Sequence, residues 1–143
     1  MEKENNVTAE NKITIAYAED ERWFRKPTVE MLLQGGFDVI AEFEDGTELL
    51  EFLESCEVLP DLCLTDLRMP RMNGFRLTEE ILSKFPDTKV VILTSETDRF
   101  YIEEAEKIGA VGFLHKIIDH KNIIQALIEV HVTGTTQIGK LHS

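Results

Sequence analysis

The residues best suited to chemistry in this chain stand directly after short apolar runs. Glu19 and Asp20 follow Ile13-Thr14-Ile15-Ala16-Tyr17-Ala18. Asp66 follows Leu62-Cys63-Leu64-Thr65, Thr94 and Ser95 follow Lys89-Val90-Val91-Ile92-Leu93, and Lys116 closes the run that begins at Val111. A carboxylate can act as a nucleophile and carry a phosphoryl group as an aspartyl phosphate. The charge on the transferring group then needs a cation and hydrogen-bond donors around it. Asp66 holds the central position and is the candidate acceptor. The Lys116 ammonium can pair with one phosphoryl oxygen, and the Thr94 hydroxyl can donate to another. Three carboxylates brought together by Glu19, Asp20 and Asp66 repel one another. Either a shared proton raises a pKa or a hard divalent cation neutralises them. Magnesium suits such a site because it uses few carboxylates alongside waters and phosphate oxygens. Asp20 and Asp66 are its candidate ligands, with Glu19 reaching it directly or through water and the backbone carbonyl of Arg68 as a further ligand.

The elements that must position these groups alternate along the chain. Helical patterns run from about Trp23 to Leu33, through Leu49, Leu50, Phe52 and Leu53, from about Phe75 to Lys84, from about Thr97 to Ile108, and from about Asp119 to His131. Gly35-Gly36, Pro60, Pro86 and Gly109 punctuate them. Between them lie short apolar strands, of which the second, Phe37 to Phe43, ends only in the turn Asp45-Gly46-Thr47. A strand–helix unit repeated five times predicts an α/β domain with a doubly wound parallel sheet and helices on both faces. Its strands should be apolar throughout, as the third and fourth are, and its crossovers right-handed. In such sheets ligands bind beyond the carboxyl ends of the strands, which is where the candidate residues fall.

Length and composition agree with one domain. The chain has 143 residues, 43% of them apolar, and a net charge of −12. That charge speaks against direct nucleic-acid binding or an anionic membrane and for a protein surface or a cation as partner. No apolar stretch reaches the length of a membrane span and no signal peptide precedes the core, so the expected compartment is cytoplasmic. Cys56 and Cys63 lack metal-ligand or redox spacing. Residues 1–12 look like a flexible polar tail, 13–132 like the folded domain, and 133–143 like a polar tail or the start of a linker.

Taken together, the pair Glu19-Asp20, Asp66 within Leu64-Thr65-Asp66-Leu67-Arg68-Met69-Pro70, the turn Met72-Asn73-Gly74, Thr94-Ser95 and the stretch Phe113-Leu114-His115-Lys116 resemble the receiver domains of two-component response regulators. The resemblance runs from about Ile13 to Val132. It implies a flavodoxin-like five-stranded sheet of order 2-1-3-4-5 and magnesium-dependent phosphoryl transfer from a histidine kinase or histidine phosphotransfer protein. In that family a Ser or Thr moves toward the phosphoryl group and an aromatic side chain turns inward; Thr94 and Phe113 match those positions. The face built by the fourth helix, fifth strand and fifth helix would report the change, and it is the candidate surface for a homodimer.

The chain departs from the family pattern in several places. Glu19 replaces the more usual Asp. Ile117 stands where Pro is frequent, so no cis peptide is expected. Arg68 and Glu96 are placed to pair across the mouth of the site and to hinder the water that hydrolyses the acyl phosphate. Pro27 removes a donor early in the first helix and predicts a late start or a distorted first turn.

Plainer readings stand beside these. Asp66 alone is an ordinary loop residue, Glu19-Asp20-Glu21 a solvated acidic cluster and Lys116 a surface lysine. Thr94 or Ser95 could cap the next helix, and Phe113 could be plain core. Tyr101 shares a stripe with Ala105 and Ile108, which leaves Phe100 exposed. Two other functions compete: a magnesium phosphohydrolase with an Asp nucleophile, which Arg68 disfavours because a second Asp is usual at that position, and a pseudo-receiver that binds a partner without phosphorylation.

Overall fold

The structure, a computed structural model, describes residues 12–136; the expected tails lie, apart from Lys12 and residues 133–136, outside the described residues. Five strands, β1 (Thr14–Ala18), β2 (Asp38–Phe43), β3 (Leu62–Thr65), β4 (Lys89–Thr94) and β5 (Gly112–His115), alternate with five helices, α1 (Arg22–Gln34), α2 (Gly46–Ser55), α3 (Gly74–Lys84), α4 (Arg99–Ile108) and α5 (His120–Thr133). The strands form one parallel sheet of order β2-β1-β3-β4-β5. The order reverses at β1, and the site should lie beside that point.

Side chains alternate across a strand, so each one feeds two cores. Ile15, Tyr17, Leu62, Leu64, Val91, Leu93 and Leu114 meet Met31 and Leu32 of α1 and Ile123, Ala126, Leu127 and Val130 of α5 on one face. Ala16, Ala18, Cys63 and Val90 meet Leu49, Leu50 and Leu53 of α2 and Leu77 and Ile81 of α3 on the other. Ile92 and Phe113 pack with Leu67, Ala105 and Ala110 beneath α4.

Local signals account for the boundaries. Asp45, Asn73, Asp98 and Asp119 cap α2, α3, α4 and α5, each side chain accepting a backbone N–H of the first turn. The cap of α4 is thus Asp98 and not Thr94 or Ser95, and the helix begins at Arg99, two residues later than Thr97. Gly109 and Gly134 end α4 and α5 in the left-handed conformation. The expectation for Pro27 fails. Helix α1 starts early, at Arg22, and its first turn is regular, with the Phe24 and Arg25 amides both donating to the Glu21 carbonyl. Pro27 sits one turn further in and removes only the donor for the Trp23 carbonyl, at a residue 72% exposed where water can replace it. Phe37 stays outside β2, buried at the end of the α1–β2 turn. Phe100 is 60% exposed, as its helical phase predicts.

Candidate functional site

The strand register brings the chemistry together. Ala18 pairs with Thr65, and the Asp66 amide donates to the Ala18 carbonyl at 3.1 Å. Glu19 and Asp66 therefore leave the sheet side by side. Thr94 pairs with His115, and the Lys116 amide donates to the Thr94 carbonyl at 2.9 Å. Two pairs of neighbouring strands thus deliver two pairs of residues to the same end of the sheet.

Their side chains converge. A carboxylate oxygen from each of Glu19, Asp20 and Asp66 lies within 4.8 Å of the others. The Lys116 ammonium reaches Glu19 Oε1 at 2.9 Å and Asp66 Oδ2 at 3.2 Å. It also sits 4.3 Å from the centre of the Phe24 ring, a cation–π contact on its remaining side. Glu19 is fully buried and Asp66 nearly so, while Asp20 is half-buried. An open cavity of about 420 Å³ joins Asp20, Asp66, Thr94 and Lys116 with Trp23, Arg68 and Glu96. A second groove of about 590 Å³ opens beside it, between Asp20, the segment Leu67–Pro70, Phe75 and Tyr101.

Crowding sets the protonation of this cluster. Burial and then the Asp66 charge push the Glu19 carboxyl up to about 7. Asp20 is raised by burial, then by Glu21 and Asp66. Burial alone would pull the Lys116 ammonium down, but its Glu19 and Asp66 partners outweigh that and hold it above the usual lysine range. The Lys116 ammonium therefore balances part of the carboxylate charge. Those same oxygens form a donor set that fits a small hard cation.

The loop after β3 is built around Asp66. The Leu67 amide donates to Asp66 Oδ1 at 2.7 Å. The Gly74 amide donates to the Leu67 carbonyl at 2.8 Å. Asn73 caps α3 through the Arg76 amide. A Cβ at residue 74 would lie 2.2 Å from the Asp66 carbonyl oxygen, so the turn requires glycine for its backbone to approach. Arg71 adopts a left-handed conformation (φ 66°) in this loop, and its guanidinium pairs with buried Asp45. Asp45 thereby ties the β2–α2 turn to the β3–α3 loop and stays out of the carboxylate cluster.

The remaining expected residues fall around this centre. Arg68 pairs with Glu96 over the cavity and also donates to the Tyr101 hydroxyl at 2.9 Å. Thr94 is buried, and its Oγ1 accepts the Glu96 amide at 3.3 Å. Phe113 is already turned into the core beneath α4. No peptide bond among the described residues is cis. Three neighbours were not singled out from the sequence. Arg25 donates to the Glu19 carbonyl and to Glu42 Oε1 at 3.0 Å, Phe24 holds the Lys116 ammonium, and His115 bridges two loops. Their positions on helical or strand pattern gave no chemical signal.

Known proteins resemble this chain in sequence and fold. The receiver-domain model of response regulators matches residues 15–128. The chain is 35% identical over 124 residues to the transcriptional regulatory protein DegU of Brevibacillus brevis, covering 86% of this chain and 52% of that one. It is 35% identical over 127 residues to PdtaR of Mycobacterium tuberculosis, another transcriptional regulatory protein, covering 89% and 60%. The chain spans little more than half the length of these curated relatives. The NarL signal receiver domain from Mycobacterium tuberculosis superposes with a TM-score of 0.79 at 29% identity, covering 85% of this chain and 98% of that one. No helix among the described residues is long and apolar enough to cross a membrane. Sequence, sheet order and the matching of both by known receivers converge on one statement: this chain belongs to the response regulator receiver domains of two-component systems.

Proposed function

We propose that this receiver is a phosphoacceptor and that Asp66 takes a phosphoryl group from a histidine kinase or histidine phosphotransfer protein. The observation that carries the proposal is the Lys116 ammonium bridging Asp66 and Glu19 inside a carboxylate cluster at the mouth of an open cavity. An Asp66 oxygen attacks phosphorus, the phosphorus–nitrogen bond of the donor breaks, and the imidazole leaves with the bonding electron pair. Lys116 follows the negative charge onto a phosphoryl oxygen, and Thr94 donates its hydroxyl to another. Glu19, Asp20, Asp66 and the Arg68 carbonyl are the groups to hold Mg2+, which when bound supplies compensation for charge on the transferring group. Burial and the Asp66 charge hold the Glu19 carboxyl high, so Mg2+ and a proton compete for it.

Arg68 and Glu96 stand over the cavity and narrow the approach of a hydrolytic water, which lengthens the life of the acyl phosphate. With Arg68 engaged by Glu96 and Tyr101, no second carboxylate stands two residues after Asp66 to act as acid and base, so the phosphohydrolase reading lacks its catalyst. The signal passes through Thr94 to the surface of α4, β5 and α5. Phe113 holds here the inward position that the family resemblance assigns to the phosphorylated state. That surface would act on an output element or a partner protein, with a homodimer as one form of output. The relatives are transcriptional regulators, and with a net charge of −12 this chain would control DNA binding through another element and not by its own surface.

The test is intact mass spectrometry after incubation with Mg2+ and a small phosphodonor, or with a phosphorylated kinase. A single phosphoryl adduct, lost in Asp66→Asn, supports the proposal. No adduct from any donor would favour the pseudo-receiver.

A further inference from the structure

We infer that His115 is a positioning residue for Lys116, and that it couples the β5–α5 loop to the β4–α4 loop that carries Thr94. The inference rests on the phosphoacceptor function proposed above. The His115 ring sits at the carboxyl end of β5 with a partner at each nitrogen. Its Nδ1 accepts the Ile117 amide at 3.1 Å, and its Nε2 lies 3.1 Å from the Ser95 carbonyl. A ring that accepts at Nδ1 and faces a carbonyl at Nε2 is the neutral imidazole with its proton on Nε2.

The backbone around Lys116 has three ties. Its own amide donates to the Thr94 carbonyl at 2.9 Å, the Ile118 amide donates to the His115 carbonyl at 3.0 Å, and the Ile117 amide donates to the His115 ring. Only the last depends on a side chain. It also depends on residue 117 having an N–H at all, which proline would lack. Ile117 itself is 84% exposed and brings no packing to hold this turn. The imidazole therefore does locally what neither a proline ring nor a buried side chain does here. Its second bond reaches the residue after Thr94, so the two groups expected to touch the phosphoryl oxygens, Thr94 and Lys116, are joined through one ring. Lys116 then places its ammonium between Glu19, Asp66 and the Phe24 ring from a backbone held by these ties. Small errors of placement at a reacting centre cost rate more than they cost binding.

The test compares the full chain with His115→Leu and His115→Asn. Leucine removes both bonds. Asparagine keeps an acceptor that can take the amide two residues on, as Asn does in turns. The expected result is that His115→Leu lowers the phosphorylation rate roughly tenfold, the scale of one or two lost hydrogen bonds. Mg2+ affinity, measured by calorimetry, should not fall, because His115 touches none of the carboxylates and a displaced Lys116 competes less with the cation. His115→Asn should recover most of the rate. In the wild-type chain, a long-range nitrogen–proton spectrum should show His115 as the neutral Nε2–H tautomer. A His115→Leu rate equal to wild type overturns the inference. So does loss of Mg2+ affinity in step with rate, an Asn variant no better than Leu, or the opposite tautomer, which is read without any variant. If the wild-type chain takes no phosphoryl group, the phosphoacceptor reading itself falls and takes this inference with it.

Discussion

Gly74→Ala is the sharpest perturbation of the site that touches none of its chemical groups. An alanine Cβ would stand 2.2 Å from the Asp66 carbonyl oxygen and 3.0 Å from both the Asp66 carbonyl carbon and Leu67 Cα. All three are backbone atoms, which cannot rotate away. Ordinary contact lies near 3.5 Å, so the Asp66 peptide and the start of α3 must separate by about 1 Å. Forcing a methyl into such a contact costs about 1–3 kcal/mol. Breaking the Gly74–Leu67 backbone bond adds about 1 kcal/mol. Together these predict a loss of about 2–4 kcal/mol in urea unfolding. The function should suffer more than the fold, because a displacement of about 1 Å at a reacting group costs on the order of a hundredfold in rate. Gly36→Ala is the control. Unlike Gly74, Gly36 is left-handed (φ 96°), and a Cβ there meets nothing within 4 Å. It should cost about 1–2 kcal/mol and leave phosphorylation unchanged. A Gly74→Ala variant with parental stability and parental phosphorylation rate would refute the claim that this turn sets the position of Asp66.

Further outcomes follow from the charge balance of the cluster. Glu19 has its folded pKa raised to about 7, above the ordinary carboxylate range of the unfolded chain. The folded state therefore holds this proton more tightly, and without Mg2+ stability falls as pH rises from that range through about 7. Mg2+ must displace the same proton, so its affinity should weaken by up to about tenfold per pH unit below 7, and Glu19→Gln should flatten the dependence; calorimetry from pH 6 to 8 checks both. Lys116→Ala should lower the phosphorylation rate about a hundredfold. At pH 8 the same variant should bind Mg2+ more tightly, because Lys116 competes with the cation for Glu19 and Asp66; unchanged or weaker binding would contradict the competition. Arg68→Ala opens the cavity that Arg68 and Glu96 span and should shorten the phosphoryl lifetime several-fold, read as loss of the adduct after donor removal. An unchanged lifetime would sink the gate.

The parts of the molecule legible from sequence are those with a local physical cause. Apolar runs without alternation announced β3 and β4, because both faces of those strands are covered. Asp45 and Asn73 stood before helices with glycine next in line, and both are caps. The residues after each strand were legible as chemistry because a parallel sheet puts its strand ends at one edge, and the register does place Glu19 beside Asp66. The pairing of Arg68 with Glu96 was legible for the same reason. What could not be read was long-range and side-chain specific. Nothing local tells that Arg71 would reach Asp45, that Arg25 would hold the Glu19 carbonyl, or that the Phe24 ring would lie against Lys116. Pro27 misled because the local rule counts a lost hydrogen bond, whereas the cost depends on whether water can replace it at Trp23.

Every proposed step of the signal begins with Asp66 as the acceptor. An aspartyl phosphate is reduced by borohydride to homoserine, a permanent mark at the modified residue. The decisive measurement is therefore to phosphorylate the chain with Mg2+ and a phosphodonor, reduce it, and sequence the peptide spanning residue 66 by mass spectrometry. Homoserine at position 66, absent when Mg2+ is withheld, is the predicted result; homoserine at another acidic residue with Asp66 intact would contradict it.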